Sequence, residues 1–444
     1  MSNVDGRTTY LDALRRTQWL SPAELEAYQA PLLERLLRHA ALQTEFYPER
    51  LAPLFDGGDP ATAPIDLTRW GEVPILKRTH VIDHVEVMRA RETPPDTGGQ
   101  TMSKSSGSTG RPVTTWRSEI AVMAGNLNFD RAWEAWGMDI NAPLAFITGD
   151  SSGRAKYPEG AHVRHWSPLA TGKTVRVLAV DTPVEDQLEW LERIRPTNVM
   201  TYPFLMQAIA ELAQTSGSTL RLHTFVSYGE CLTAEVRKVI SSTFGCQIID
   251  IYSAREIGPI AFSCPDTTAY HLCSETVLTE LLDDDGRPVP SGAFGRVVVT
   301  PLYGYAMPFV RYDVGDYALK SQFACACGRG LPTVDMIGGR TRGRFVMPDG
   351  STKRFRPPIS TALANHLSYR EMQIVQTAVD ALEIRYVPMD HDQVPDLPAL
   401  TQILRREFHD GLTVTLSAHE RIERGPGMKF ELFVSRVAAQ ETPA

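Results

Sequence analysis

The stretch TFVSYGECLTAEVRKVISSTFGCQIIDIYSAREIG, residues 224–258, decides the fold class. Residues 224–228 form a short β-branched and apolar run, which predicts a strand. Residues 233–244 follow with a helical pattern that Gly245 stops, and residues 247–252 return to an apolar strand. Strand, helix and strand in succession are the α/β pattern of a sheet covered by helices. The same alternation begins near Val199, so the pattern extends upstream. The segment Ile251-Tyr252-Ser253-Ala254-Arg255-Glu256-Ile257-Gly258 then falls at the C-terminal end of a strand, where open α/β sheets bind ligands.

Toward the N-terminus, Ser21-Pro22-Ala23-Glu24 is a capping box with proline at the first helical position, and leucines follow at helical spacing. Pro31 lies inside that pattern and removes a donor, which predicts a kink or two short helices. Residues 91–110 are rich in Thr, Pro, Gly and Ser and read as a long loop. After Arg340 the texture changes to a basic segment with a hairpin turn at Pro348-Asp349-Gly350. Apolar runs at 373–378, 382–387 and 412–416 and a helix near 400–408 complete it. The expectation is a large multi-sheet α/β domain over residues 1–340 and a small α+β domain over 341–444.

Composition narrows the function. With 43% hydrophobic and 22% charged residues, the 444-residue chain lies in the soluble globular range. The formal net charge of −8 argues against a protein whose main work is wrapping nucleic acid. The longest apolar runs fall far short of the ~20 residues of a membrane-spanning helix. The opening Met-Ser-Asn-Val-Asp shows no signal pattern. A cytoplasmic protein without a membrane or nucleic-acid partner is expected.

Three segments carry chemistry. Ser105-Ser106-Gly107-Ser108-Thr109-Gly110, directly after Lys104, offers hydroxyls, uncovered backbone N–H groups and a nearby cation, which suit polyphosphate oxygens. Gly172-Lys173-Thr174 only imitates the end of a Walker loop, because the required upstream glycine is Ser167. In the segment ending β-strand 247–252, Tyr252 offers a stacking face for a base and Glu256 a ligand for magnesium. In Val310-Arg311-Tyr312-Asp313-Val314-Gly315-Asp316, the closing Asp316 can accept two hydrogen bonds from a ribose diol.

In this order the segments resemble the adenylate-forming superfamily of acyl-CoA synthetases, most closely its phenylacetate-CoA ligase and coenzyme F390 synthetase-like branch. The Ser/Thr/Gly run looks like the phosphate loop, and Ser227-Tyr228-Gly229-Glu230-Cys231-Leu232 like the adenine-contacting turn. Tyr252 through Glu256 looks like the Tyr-Gly-x-x-Glu motif, with Ser253 where Gly is usual. Asp316 closes the ribose motif, Gly339-Arg340 looks like the start of the hinge, and Arg424-Gly425-Pro426-Gly427-Met428-Lys429 like the segment bearing the C-terminal catalytic lysine. Val113 stands after Pro112 where many members of the superfamily carry Lys, and Thr341-Arg342-Gly343-Arg344 replaces the usual acidic pivot.

The resemblance implies ATP-dependent activation of a carboxylic acid, aryl or arylacetic, as an acyl-adenylate. Transfer to CoA follows, with an amine or a carrier-protein thiol as alternative acceptors. A non-catalytic nucleotide-binding homologue is the rival reading. The resemblance assigns residues 106–110 to the phosphates, Glu256 to magnesium, Tyr252 to adenine, Asp316 to ribose and Lys429 to the bridging and carboxylate oxygens. A homodimer is a further expectation. Phe129, Trp133, Trp136, Tyr202 and Phe204 are candidates for an aryl pocket, though such spacing also suits a core. Separately, Cys264, His271, Cys325 and Cys327 supply the ligand set of a closed structural zinc site, with Cys273 as an alternative to His271.

Overall fold

The structure, a computed structural model, describes residues 3–104, 113–150, 152–163, 175–338, 344–354, 357–389, 394–422 and 432–437. A hairpin of β1 (Gln100–Lys104) and β2 (Thr114–Ser118) leads into a twelve-stranded sheet. Its strands are β3 (Leu144–Thr148), β4 (Ala161–Val163), β5 (Val175–Ala179), β6 (Asn198–Thr201), β7 (Thr224–Tyr228) and β8 (Gln247–Ala254), followed by β9 (Gly258–Ser263), β10 (Tyr270–Leu272), β11 (Val277–Leu282), β12 (Phe294–Pro301), β13 (Tyr312–Lys320) and β14 (Thr333–Gly338). The spatial order is β11-β12-β13-β14-β10-β9-β8-β7-β6-β3-β5-β4. Strands β8, β7, β6, β3 and β5 pair in parallel, whereas every pair from β8 to β11 is antiparallel. Strand β8 is thus the seam between two kinds of sheet.

Alternation along the strands explains why both faces of the parallel half are covered. Phe225 and Ile248 pack with the helices Val184–Ile194, Pro203–Ser216 and Ala234–Phe244 through Trp190, Met206 and Phe244. Their neighbours Val226 and Ile249 point the other way, to Trp133 of the helix Glu119–Ala135. The helix after β7 starts where Thr233 accepts a hydrogen bond from the Val236 amide, and it ends at Gly245 with φ +66°.

Two segments depart from the expectation drawn from the sequence. Residues 22–43 form one continuous helix, Pro22–Gln43, with Pro31 inside it. The Ser21 capping box and the buried Leu33, Leu36 and Leu37 hold it together despite the missing donor. Residues 91–110 are also not all loop, because Gln100–Lys104 pairs with β2 through backbone hydrogen bonds that need no particular side chains.

Beyond the large sheet, β15 (Arg344–Val346) and β16 (Thr352–Arg354) flank the turn at Gly350, φ +83°. A four-stranded sheet follows, with β17 (Tyr369–Ala378), β18 (Ala381–Pro388), β19 (Thr413–Ala418) and β20 (Phe433–Ser435) in the order β19-β18-β17-β20. The helix Leu397–Glu407 packs Leu400 and Leu404 against Ile374 and Ile384, in a cluster drawn only from residues after Arg344. No helix among the described residues is long and apolar enough to cross a membrane.

Candidate active site and cysteine cluster

The candidate site gathers at the C-terminal ends of β7 and β8. Strand β7 runs into Gly229, whose φ of +80° and lack of Cβ let the Tyr202 ring approach; a Cβ there would lie 3.0 Å from that ring. Glu230 follows, half-buried. At the end of β8, the Tyr252 hydroxyl donates to Oδ2 of Asp316 on β13 at 2.8 Å, and Ser253 stands half-buried beside it. The turn from β8 to β9 carries Glu256, only 6% exposed. Its Oε1 accepts a hydrogen bond from the Tyr312 hydroxyl at 2.8 Å and faces the Arg78 guanidinium at 3.4 Å.

Each partner has a local cause. Leu76 bridges Tyr312 in parallel, through Leu76 N to Arg311 O at 2.8 Å and Asp313 N to Leu76 O at 2.9 Å, which brings Arg78 alongside Glu256. Arg311 adopts φ +52°, a left-handed conformation unusual for a side-chain-bearing residue. Its buried guanidinium overdetermines that geometry by pairing with Glu280 at 3.0 Å and donating to the Val73 carbonyl at 2.8 Å. Burial raises the Tyr312 phenol well above its usual range, and the neighbouring Glu256 charge adds to this, so Tyr312 remains an O–H donor. The carboxylate of Glu256 is a hard oxygen donor of the kind that would suit a magnesium ion, and the Arg78 guanidinium lies beside it.

The structure therefore brings Tyr252 and Asp316 into contact and places Glu256 on the same strand end. Ser105, Ser106, Gly107, Ser108, Thr109, Gly110, Arg340 and Lys429 lie outside the described residues, as does the Gly172-Lys173-Thr174 decoy. The ends of the β1–β2 hairpin are described: Lys104 pairs with Thr114, and Val113 is a core residue, 1% exposed. Arg78 and Tyr312 are partners that sequence reasoning missed. Arg78 is 178 residues from Glu256, and no spacing signal spans such a distance.

Among the aromatic candidates, Trp133 is 1% exposed and stacks on Phe129 inside the core, and Trp136 donates to the Ser263 carbonyl at 2.9 Å. Tyr202, by contrast, groups with Tyr228 (ring centroids 4.9 Å apart) and Phe204 (6.1 Å) at the strand ends, and Phe146 joins Tyr228 at 5.8 Å.

The cysteine cluster lies on the antiparallel half. The ligand atoms of Cys264, His271, Cys325 and Cys327 all fall within 4.8 Å of one another. Sulfurs around a tetrahedral zinc, with bonds of about 2.3 Å, stand about 3.8 Å apart. Cys264 Sγ and Cys325 Sγ are 3.7 Å apart, and Cys327 Sγ is 3.3 Å from His271 Nε2, so the donor set fits that ion. The Asp266 amide approaches Cys264 Sγ at 3.4 Å and the Arg329 amide Cys327 Sγ at 3.5 Å, so backbone N–H donors face two of the sulfurs. Burial pushes the His271 imidazole down to about 4, leaving a neutral ring to offer its lone pair. Cys273 belongs elsewhere: it is fully buried beside Trp133, and burial pushes its thiol up to about 12. His271 is therefore the residue that completes the four.

Residues 101–301 match the family model described as AMP-binding enzyme. The matched region includes the end of β8 and the turn that carries Glu256. The chain is similar to the phenylacetate-coenzyme A ligase of Pseudomonas putida, 25% identical over 351 residues and 74% of each chain. It is also similar to that of Escherichia coli (strain K12), 26% identical over 265 residues and 55% of each chain. Among solved structures, 2-hydroxyisobutyryl-CoA ligase in its postadenylation state with R3-HIB-AMP shares the fold, with a TM-score of 0.69, 18% identity, and coverage of 95% of this chain and 91% of that one.

Proposed function

We propose that the protein activates an aryl or arylacetic acid with ATP and transfers the acyl group to CoA. The observation that carries this reading is the meeting of Tyr252, Asp316 and Glu256 at the end of β8. In the first step a carboxylate oxygen attacks the α-phosphorus of ATP; the new C–O–P link forms as the bond to pyrophosphate breaks. In the second, the CoA thiolate attacks the acyl carbonyl and AMP leaves.

Asp316 would hold the ribose diol, with Tyr252 presenting its ring to the adenine while its hydroxyl fixes the Asp316 carboxylate. Gly229 and Glu230 form the turn against the base, and residues 105–110 would line the phosphates. A magnesium ion, held by Glu256, would neutralise phosphoryl charge. Lys429 is proposed to reach the oxygens at the reacting phosphorus when residues 341–444, read as a small mobile domain, close over the site. The aryl preference draws support from the Tyr202, Tyr228 and Phe146 rings grouped beside Gly229. The cysteine cluster is proposed as a structural zinc site away from the chemistry.

Pyrophosphate–ATP exchange over a panel of acids, with product analysis with and without CoA, tests the reading. Acid-dependent exchange and an aryl-CoA product are expected. Exchange without acid would reject adenylation, stronger exchange with short aliphatic acids would reject the aryl assignment, and a product formed only with an amine or carrier protein would move the acceptor.

A further inference from the structure

Four buried polar side chains form a row across the sheet at the seam between its parallel and antiparallel halves. Ser227 on β7 is the register partner of Asp250 on β8 and donates its hydroxyl to Asp250 Oδ1 at 2.6 Å. Tyr270 on β10 reaches over β9 and donates to Oδ2 of the same carboxylate at 2.5 Å. The Asp250 amide donates to Ser263 Oγ on β9 at 2.9 Å, and Ser263 is in turn the register partner of Tyr270. None of the four is more than 9% exposed. Burial raises the Asp250 carboxyl, and the Ser227 and Tyr270 hydrogen bonds oppose that rise. The two-step chemistry above makes no use of this acid.

What the row joins is informative. Ser263 immediately precedes Cys264 and Tyr270 immediately precedes His271, so two of its members sit next to cluster ligands. At the other end Ser227 opens the 227–230 turn, and Asp250 itself stands two residues before Tyr252. A buried carboxylate that receives hydroxyls from two different strands ties those strands together, because releasing either would leave an acceptor without water or partner.

We propose that Asp250 is a positioning residue that couples the Cys264, His271, Cys325 and Cys327 cluster to the nucleotide turn. A filled cluster fixes β9 and β10, Tyr270 fixes Asp250, and Asp250 through Ser227 holds residues 227–230 in the geometry that receives the adenylate. This inference rests on the proposed readings of that turn as the nucleotide face and of the cluster as a zinc site. Coupling between sites is reciprocal and typically amounts to about 5- to 150-fold in affinity. Bound AMP should therefore tighten zinc binding by the same factor by which zinc tightens AMP binding.

The test uses the full chain, zinc content by elemental analysis and AMP titration calorimetry. In the wild type, stripping zinc should weaken AMP binding about tenfold. Tyr270→Phe keeps the ring but removes the hydroxyl; it should carry zinc like the wild type, and stripping should change its AMP affinity less than twofold. Because stripping can unfold the protein, Asp250→Asn and Ser227→Ala are also titrated with the cluster filled, and each should bind AMP several-fold more weakly. Wild-type AMP affinity in both, or an equal loss on stripping in the wild type and Tyr270→Phe, overturns the proposal. A chain that takes up no zinc overturns the coupling outright, and AMP titration of that same chain shows separately whether the nucleotide reading stands.

Discussion

At Gly229, a side chain would have to accept φ +80° and stand 3.0 Å from the Tyr202 ring. The left-handed backbone alone costs a side-chain-bearing residue ~1–2 kcal/mol. Gly229→Ala should therefore raise the KM for ATP about tenfold while leaving the far-UV circular dichroism spectrum unchanged. Tyr252→Phe removes the hydroxyl from Asp316 but keeps the ring; with a net hydrogen bond worth ~1 kcal/mol, ATP affinity should fall about fivefold. His271 gives a pH signature. Its folded pKa of about 4 lies below the ordinary imidazole value, so as pH falls the unfolded chain takes up the proton first. The stability it contributes is present above pH ~6.5 and is lost as pH falls toward 4, with a slope approaching ~1.4 kcal/mol per pH unit. With zinc removed from both proteins, urea midpoints between pH 7.5 and 4.5 should fall less steeply in His271→Gln than in the wild type.

At the scale of elements, the helix Pro22–Gln43 tolerates Pro31 because its buried leucine face and capping box outweigh one lost backbone bond. Pro31 is exposed, so Pro31→Ala restores the donor without disturbing packing. It should stabilise the protein by ~1–3 kcal/mol, read as a higher denaturant midpoint at unchanged slope. Local patterns of this kind were the legible part of the sequence. The run from β7 through its helix to β8 follows from residue periodicity and from Gly245, and the turn at Gly350 from its own chemistry. Strand β1 was not legible, since its Thr, Ser and Lys pair through backbone groups only. Nor was the choice between His271 and Cys273, which lie two residues apart; only the packing of Cys273 beside Trp133 separates them. Tyr252 and Asp316 could be nominated singly, but that they touch, and that Arg78 faces Glu256, depends on strand order over tens to hundreds of residues.

For the whole molecule, the proposed alternation of residues 341–444 has a kinetic signature. Lys429→Ala removes a cation that would act on developing charge, so adenylation should slow ~10²- to 10³-fold. Transfer from a preformed acyl-adenylate should stay nearly intact if a rotated arrangement of the same region serves it. Single-turnover rates for the two steps, measured separately, check this; equal slowing of both would reject the assignment. Cys325→Ser should empty the cluster, lower the thermal midpoint and weaken nucleotide binding, while turnover per folded molecule at saturating ATP stays near the wild-type value, as differential scanning calorimetry and active-site titration would show. The position of β14 bears on how the chain reaches this state at all. In the sheet, β14 is inserted between β13 and β10, so it is the strand that joins the β11–β13 meander to the remainder. It must wait for partners more than sixty residues upstream, and closing so long a loop is an entropic cost met before any bond forms. Cys325 and Cys327 lie just ahead of it, opposite Cys264 and His271. An ion captured by those four early in refolding would draw the late strand to its slot, so the metal would act as an assembly clamp whose absence shows first as slow, aggregation-prone renaturation.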